Sequence, residues 1–181
     1  MMEIEVKILD IDLNKTEKTI KKLGGILIHN NLLYKELYFS TDNNDLKFSS
    51  MRLRSEGDDV FLTMKFKKGN NKKYFSRKEL QVQVSDFATT SEIIQQMGFK
   101  PVGVREKLRK EYKIGKIKIE LDQYPNIPPY MEIEGSSQKL VNDFLKKLGY
   151  DLKYTVNFSA TEIIRQYGKN PSNLTFKNKK K

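Results

Sequence analysis

Stretch after stretch of this chain alternates a charged residue with an apolar one, and no other feature narrows the possible folds as far. Successive side chains of a β-strand point to opposite faces, so each such stretch predicts a strand with one charged and one apolar face. Glu3, Glu5 and Lys7 alternate with Ile4, Val6 and Ile8; Arg52 and Arg54 flank Leu53; Thr63, Lys65 and Lys67 alternate with Leu62, Met64 and Phe66. Arg77, Glu79 and Gln81 alternate with Leu80 and Val82, Lys107 and Arg109 flank Leu108, and Lys116, Lys118, Glu120 and Asp122 alternate with Ile117, Ile119 and Leu121. Glu132 and Glu134 flank Ile133. In a single strand this describes the wet side of an ordinary sheet. A solvated face tolerates charge best when signs are mixed, yet here Glu3 sits two from Glu5, Arg52 from Arg54, Lys107 from Arg109 and Glu132 from Glu134. Such neighbours are about 7 Å apart and repel by roughly a few tenths of a kcal/mol. If the sheet curls into a barrel the penalty grows, because the charges then share a confined space. A divalent cation relieves the carboxylates and a polyanion relieves the bases, and a metal-chelated triphosphate supplies both.

The apolar strand faces need cover, and four amphipathic helices are available to provide it. The first is expected over 14 to 23, the second over 90 to 97 and the third over 137 to 148, each followed by glycine. Ser159-x-x-Glu162 predicts a capping box for the fourth, with Ile163, Ile164 and Tyr167 on its apolar side. Strands are expected over 2 to 9, 33 to 40, 49 to 55, 60 to 67, 74 to 84, 101 to 114, 116 to 122 and 130 to 135. The turns "SEGDD" at 55 to 59 and "KKGNN" at 67 to 71 link them as hairpins and favour an antiparallel sheet, hence an α+β fold. His29 reads as a loop or strand-edge residue, and Tyr38, Phe39 and Tyr74 as packing residues.

The chain of 181 residues suits one domain, and its formal charge of +11 asks for an anionic partner. Part of that charge lies in 169 to 181, which reads as a basic, flexible tail after a domain over 1 to 168. There is no cysteine, which excludes thiolate metal sites and thiol chemistry, and a single histidine removes most of the remaining soft-metal and Ser/His chemistry. Any metal must be held by carboxylates, which points to Mg²⁺ or Mn²⁺. Apolar runs are too short for a membrane span and no secretory signal is visible, so a cytoplasmic location is the default expectation.

Glu3-x-Glu5-x-Lys7 resembles the ExExK signature of the CYTH domain, or triphosphate tunnel metalloenzymes, a family of class IV adenylyl cyclases, thiamine triphosphatases and inorganic triphosphatases. Later motifs follow in the family's order: Arg52-x-Arg54, "LTMK" ending in Lys65, Arg77-x-Glu79, Lys107-x-Arg109 with Tyr112, "IELD" ending in Asp122, and Glu132-x-Glu134. The resemblance covers roughly residues 2 to 167. It implies a closed eight-stranded antiparallel barrel with a charged interior that admits a triphosphate. By the same resemblance, Glu3, Glu5, Glu132 and Glu134 hold the metal, with Glu79 and Asp122 near it. Lys7, Arg52, Arg54, Lys65, Lys107 and Arg109 grip phosphate oxygens, joined by Arg77. Glu3, Glu5, Lys7 and Lys65 are the residues expected to carry catalysis. Gln81 stands where many members have a second glutamate, which weakens the case for a second metal ion.

The leading expectation is a metal-dependent phosphohydrolase acting on inorganic triphosphate, ATP or another organic triphosphate. The alternative is a cyclase converting ATP to cyclic AMP and pyrophosphate, and beyond it a polyphosphate or nucleotide sensor without turnover. Specific nucleic-acid binding fits poorly, because acidic pairs share strand faces with the bases and no aromatic-interleaved motif is present.

Overall fold

The computed structural model describes residues 4–43, 46, 48–66 and 79–176. Glu3, Lys67, Tyr74, Arg77 and the turn at 67 to 71 lie outside them. The strands are β1 (Ile4–Ile8), β2 (Ile26–Ser40), β3 (Phe48–Glu56), β4 (Asp59–Phe66), β5 (Glu79–Val84), β6 (Lys100–Ile114), β7 (Ile117–Gln123), β8 (Tyr130–Gly135) and β9 (Asn173–Leu174). The helices are α1 (Leu13–Lys22), α2 (Phe87–Gln96), α3 (Gln138–Lys147) and α4 (Ala160–Gln166).

Eight strands pair in the order β1-β8-β7-β6-β2-β3-β4-β5, every neighbouring pair antiparallel. The sheet curls, but its hydrogen-bonded path is open: among the described residues no ladder joins β1 to β5. Part of the outer edge of β1 is occupied instead by Val156, which exchanges backbone hydrogen bonds of 3.0 and 2.8 Å with Lys7. β9 pairs in parallel with Val104 and Arg105 of β6, along the stretch that precedes the β7 ladder at Leu108–Ile114. Residues 170–174, which the sequence assigned to a tail, therefore run against the sheet: the Val104 amide donates to the Ser172 carbonyl at 3.1 Å.

The alternation puts apolar side chains on the outer face, where the helices bury them. Val6, Ile119, Met131 and Ile133 pack under α1 and α3 through Ile20, Val141, Phe144 and Leu145. Phe39, Met51, Leu53 and Val60 pack under α2 through Ile94. Tyr124, Ile127, Tyr130 and Leu174 pack with Ile163 and Ile164 of α4. Each such aliphatic side chain, fully buried, contributes about 1.5–3 kcal/mol.

Helix starts follow their caps. The α4 capping box forms in both directions, Ser159 with the Glu162 amide and Glu162 with the Ser159 amide. α2 begins at Phe87, earlier than the expected residue 90, because the Asp86 carboxylate accepts from the Thr89 amide. β2 also begins earlier, at Ile26 rather than 33. Bulges flank His29 there, and Asn31 takes a φ of +53°, so a polar stretch that reads as a loop stays in the ladder.

Candidate functional site

The charged faces converge on one cavity of about 1180 Å³. Ten of the residues expected at the site line it: Glu5, Lys7, Arg52, Arg54, Lys65, Glu79, Lys107, Arg109, Glu132 and Glu134. Asp122 is fully buried in the wall beside them, while Glu3 and Arg77 lie outside the described residues.

One region is acidic. The register sets Lys7 opposite Glu132, Glu132 opposite Glu120 and Glu120 opposite Glu111 across four neighbouring strands. Lys7 Nζ lies 2.5 Å from Glu5 Oε1 and 3.4 Å from Glu132 Oε2. Lys118 Nζ likewise sits between Glu120 Oε1 at 3.2 Å and Glu134 Oε2 at 2.8 Å. Two ammonium groups are thus interleaved among four carboxylates. Burial raises the pKa of Glu132, and its neighbour Glu5 raises it further. Burial opposes ionisation of Glu5 as well, but Lys7 holds that carboxyl below its ordinary value. Carboxylate oxygens of Glu120, Asp122 and Glu132 all lie within 4.8 Å of one another, a spacing that a single cation can bridge.

The adjoining region is basic. Asp122 accepts from Lys107 Nζ at 2.7 Å, from Arg109 Nε at 2.6 Å and Nη2 at 2.7 Å, and from the Tyr130 hydroxyl at 3.1 Å. Its oxygens are engaged as a counterion to β6, a role the sequence pattern could not separate from metal ligation. Arg109 also donates to Glu120, which ties the two regions together. On the other side of β2 Arg52 Nη1 donates to Glu36 Oε1 at 2.7 Å, and Arg54 pairs with Glu56. Burial and the neighbouring Arg52 both lower the pKa of Arg54. Burial and Arg109 do the same to Lys107. The Nε atoms of Arg52 and Arg54 are buried with no hydrogen-bond partner among the described residues. Unpaired guanidinium donors in such a place call for an anion.

The sequence reading overlooked several residues here. Tyr34, Glu36 and Tyr38 form the inward face of β2. Glu36 is 1% exposed, and although burial opposes its charge, Arg52, Lys107 and Arg54 hold its carboxyl at about 2. Tyr34 inserts its ring between two bases, 5.3 Å from the Arg54 guanidinium and 4.9 Å from that of Arg109. Tyr38, read as a packing residue, lines the cavity and donates to Glu36 at 2.9 Å. Arg105 is the third inward base of β6, and its spacing from Lys107 and Arg109 was the signal that could have found it. Gln81 lies opposite Thr63 and accepts its hydroxyl hydrogen at 3.1 Å, so the amide stands in the wall as a hydrogen-bond acceptor. Lys65 pairs with Glu79.

Comparison with known proteins adds a family to this geometry. A family model described as the CYTH domain matches residues 1–180. "Putative adenylate cyclase MJ0240" of Methanocaldococcus jannaschii is 28% identical over 169 residues, spanning 92% of this chain and 95% of that protein. Among solved structures, the PH1012 protein of Pyrococcus horikoshii superimposes with a TM-score of 0.75 at 22% identity, covering 89% of this chain and 98% of that one. HpAC1 from Hippeastrum, described as having a dominant triphosphatase activity, gives a TM-score of 0.65 at 17% identity over 93% of this chain and 97% of its own. At these identities the two structures share the fold.

Proposed function

The chain belongs to the CYTH domain family, and from that premise we propose that its bore takes up a metal-chelated triphosphate and hydrolyses a phosphoric anhydride bond. One observation carries the reading: Arg52 and Arg54 are buried in the wall with Nε donors unpaired among the described residues, and the same cavity is lined by carboxylates of the Glu120, Asp122 and Glu132 cluster. A polyanion and a divalent cation are the two ligands that such a division of charge accepts.

The residues fit a hard cation, since every candidate donor is a carboxylate oxygen and no cysteine is present. Glu5, Glu132 and Glu134 would hold it, with Glu3 completing the opening motif and Glu79, Glu120 and Asp122 bordering the site. Bound there, Mg²⁺ or Mn²⁺ supplies charge neutralisation to the phosphoryl oxygens. Arg52, Arg54, Lys107 and Arg109 grip the phosphates, with Lys7, Lys65 and Arg77 as further donors. The rigid strands fix the chain of phosphates in line for attack, and the bases stabilise charge on the departing group. No side chain lining the bore among the described residues is a strong nucleophile, so water attacks the terminal phosphorus, the bridging P–O bond breaks and pyrophosphate leaves.

HpAC1's description supports the hydrolase reading, whereas the name of the MJ0240 protein keeps the cyclase in view. The two reactions differ in the nucleophile: a ribose 3′-hydroxyl at the α-phosphorus would release pyrophosphate and cyclic AMP. Resolving the products by ³¹P NMR separates them. Orthophosphate and pyrophosphate formed from inorganic triphosphate with Mg²⁺ or Mn²⁺, and lost in Glu5→Gln and Lys65→Ala, are the expected result. Cyclic AMP from ATP would replace this reading with the cyclase, and binding without turnover would leave a sensor.

A further inference from the structure

We propose that Arg105 couples the bore to the C-terminal segment: it contacts the substrate's anionic end at the α4 mouth of the bore, and in doing so lets go of that segment. The proposal rests on the triphosphate reading of the bore. Arg105 lines the cavity and is only 7% exposed. Lys7, Arg52, Arg54, Lys65, Lys107, Arg109 and Lys118 each have a carboxylate partner. Arg105 instead spends its donors on neutral oxygens, Nε on the Pro171 carbonyl at 2.5 Å and Nη2 on the Thr161 hydroxyl at 3.0 Å. Its guanidinium lies over the Tyr38 ring, 4.2 Å from the centroid. A buried cation whose acceptors are all neutral gains most from an anion.

A second observation points to the same place. Tyr124, another cavity-lining residue, is 1% exposed and its hydroxyl has no hydrogen-bond partner among the described residues. That phenol lies within electrostatic reach of Arg105, Tyr38 and Glu36. Among the described residues, an unpaired donor and a cation with no ion pair share one end of the bore, beside Thr161 and Pro171, although the register sets Glu36 opposite Arg105. A phosphate oxygen there satisfies both.

The partners of Arg105 give the contact a consequence. Pro171 precedes Ser172, whose carbonyl accepts from the Val104 amide, and Asn173 and Leu174 form β9 against Val104 and Arg105. Gly103 admits this segment closely, since a Cβ there would lie 3.1 Å from the Ser172 Cα. Substrate and the 170–174 segment therefore compete for one guanidinium, so occupancy of the bore is reported at the protein surface.

The test uses the full chain and inorganic triphosphate, with Arg105→Gln and Arg105→Lys as variants. Loss of one charge-assisted hydrogen bond should raise KM or Kd about tenfold for Arg105→Gln, with kcat changed less than about twofold and partial rescue by lysine. Hydrogen exchange at the Val104 and Asn173 amides should quicken when triphosphate binds the wild type, and stay constant in Arg105→Gln. A variant with native circular dichroism, unchanged KM and Kd, and exchange that ignores triphosphate in the wild type would make Arg105 a brace for the segment and overturn the proposal alone. A wild type that binds no triphosphate would overturn the reading of the bore as well.

Discussion

Replacing Glu36 with glutamine tests whether the bore's internal charge balance stabilises the fold. The carboxyl of Glu36 lies at about 2 rather than its ordinary 4.5, because Arg52, Lys107 and Arg54 outweigh the opposing effect of burial. At 1.36 kcal/mol for each pKa unit, the ionised group adds about 3 kcal/mol at neutral pH. Glutamine keeps the shape and can still meet the Tyr38 hydroxyl, but it removes the charge opposite Arg52. The variant should unfold in urea with about 3 kcal/mol less stability near pH 7, or about 10 °C lower in Tm for a domain of this size. A depressed carboxyl gives its full stabilisation above its unfolded pKa and loses it as the pH falls through the folded one. The gap between wild type and Glu36→Gln should therefore narrow from about 3 to about 1 kcal/mol between pH 7 and pH 3. Denaturant titrations at both values decide it. A gap below about 0.5 kcal/mol near pH 7, or one that does not change with pH, would refute the argument that Glu36 is held ionised by these bases.

Arg54→Met should weaken inorganic triphosphate binding about tenfold or more by calorimetry. Its thermal unfolding should change little, because burial and the neighbouring Arg52 disfavour the guanidinium it removes and offset its attraction to Glu56 and Glu36. Glu132→Gln should raise the Mg²⁺ concentration for half-maximal phosphate release about tenfold or more, as loss of a ligating carboxylate commonly does. Chelation should abolish release from the wild type, and added Mg²⁺ or Mn²⁺ should restore it. Ile133→Ala, at a fully buried position under α3, should lower unfolding free energy by about 2–5 kcal/mol in denaturant while leaving KM unchanged.

Much of the architecture could be read before any coordinates. Period-two alternation placed the charged faces of β1, β3, β4, β7 and β8, and the α4 capping box forms as Ser159 and Glu162 imply. What stayed hidden depended on neighbours across the sheet. Tyr34-x-Glu36-x-Tyr38 carries one charge between two phenols, so it reads as half-apolar strand until Arg52 and Lys107 are placed around it. Asp122 reads only as a candidate ligand until the β6–β7 register sets it opposite Arg109, where it also serves as a counterion. The ends of the sheet were equally out of reach, because Val156 comes from a distant, unpatterned stretch to bond with β1. Asn30 and Asn31 masked the start of β2, since residues typical of turns can also sit at bulges.

The interleaving of Lys7 and Lys118 with Glu5, Glu120, Glu132 and Glu134 makes the bore an ion exchanger in its resting form. Its fixed anions are already loaded with the protein's own cations. A divalent ion arriving alone must displace ammonium groups that have nowhere to go, and a triphosphate arriving alone must compete with carboxylates for Lys7, Arg52, Arg54, Lys107 and Arg109. Arriving together, each takes the partners the other sets free, so the bore is suited to admit the salt in preference to either ion.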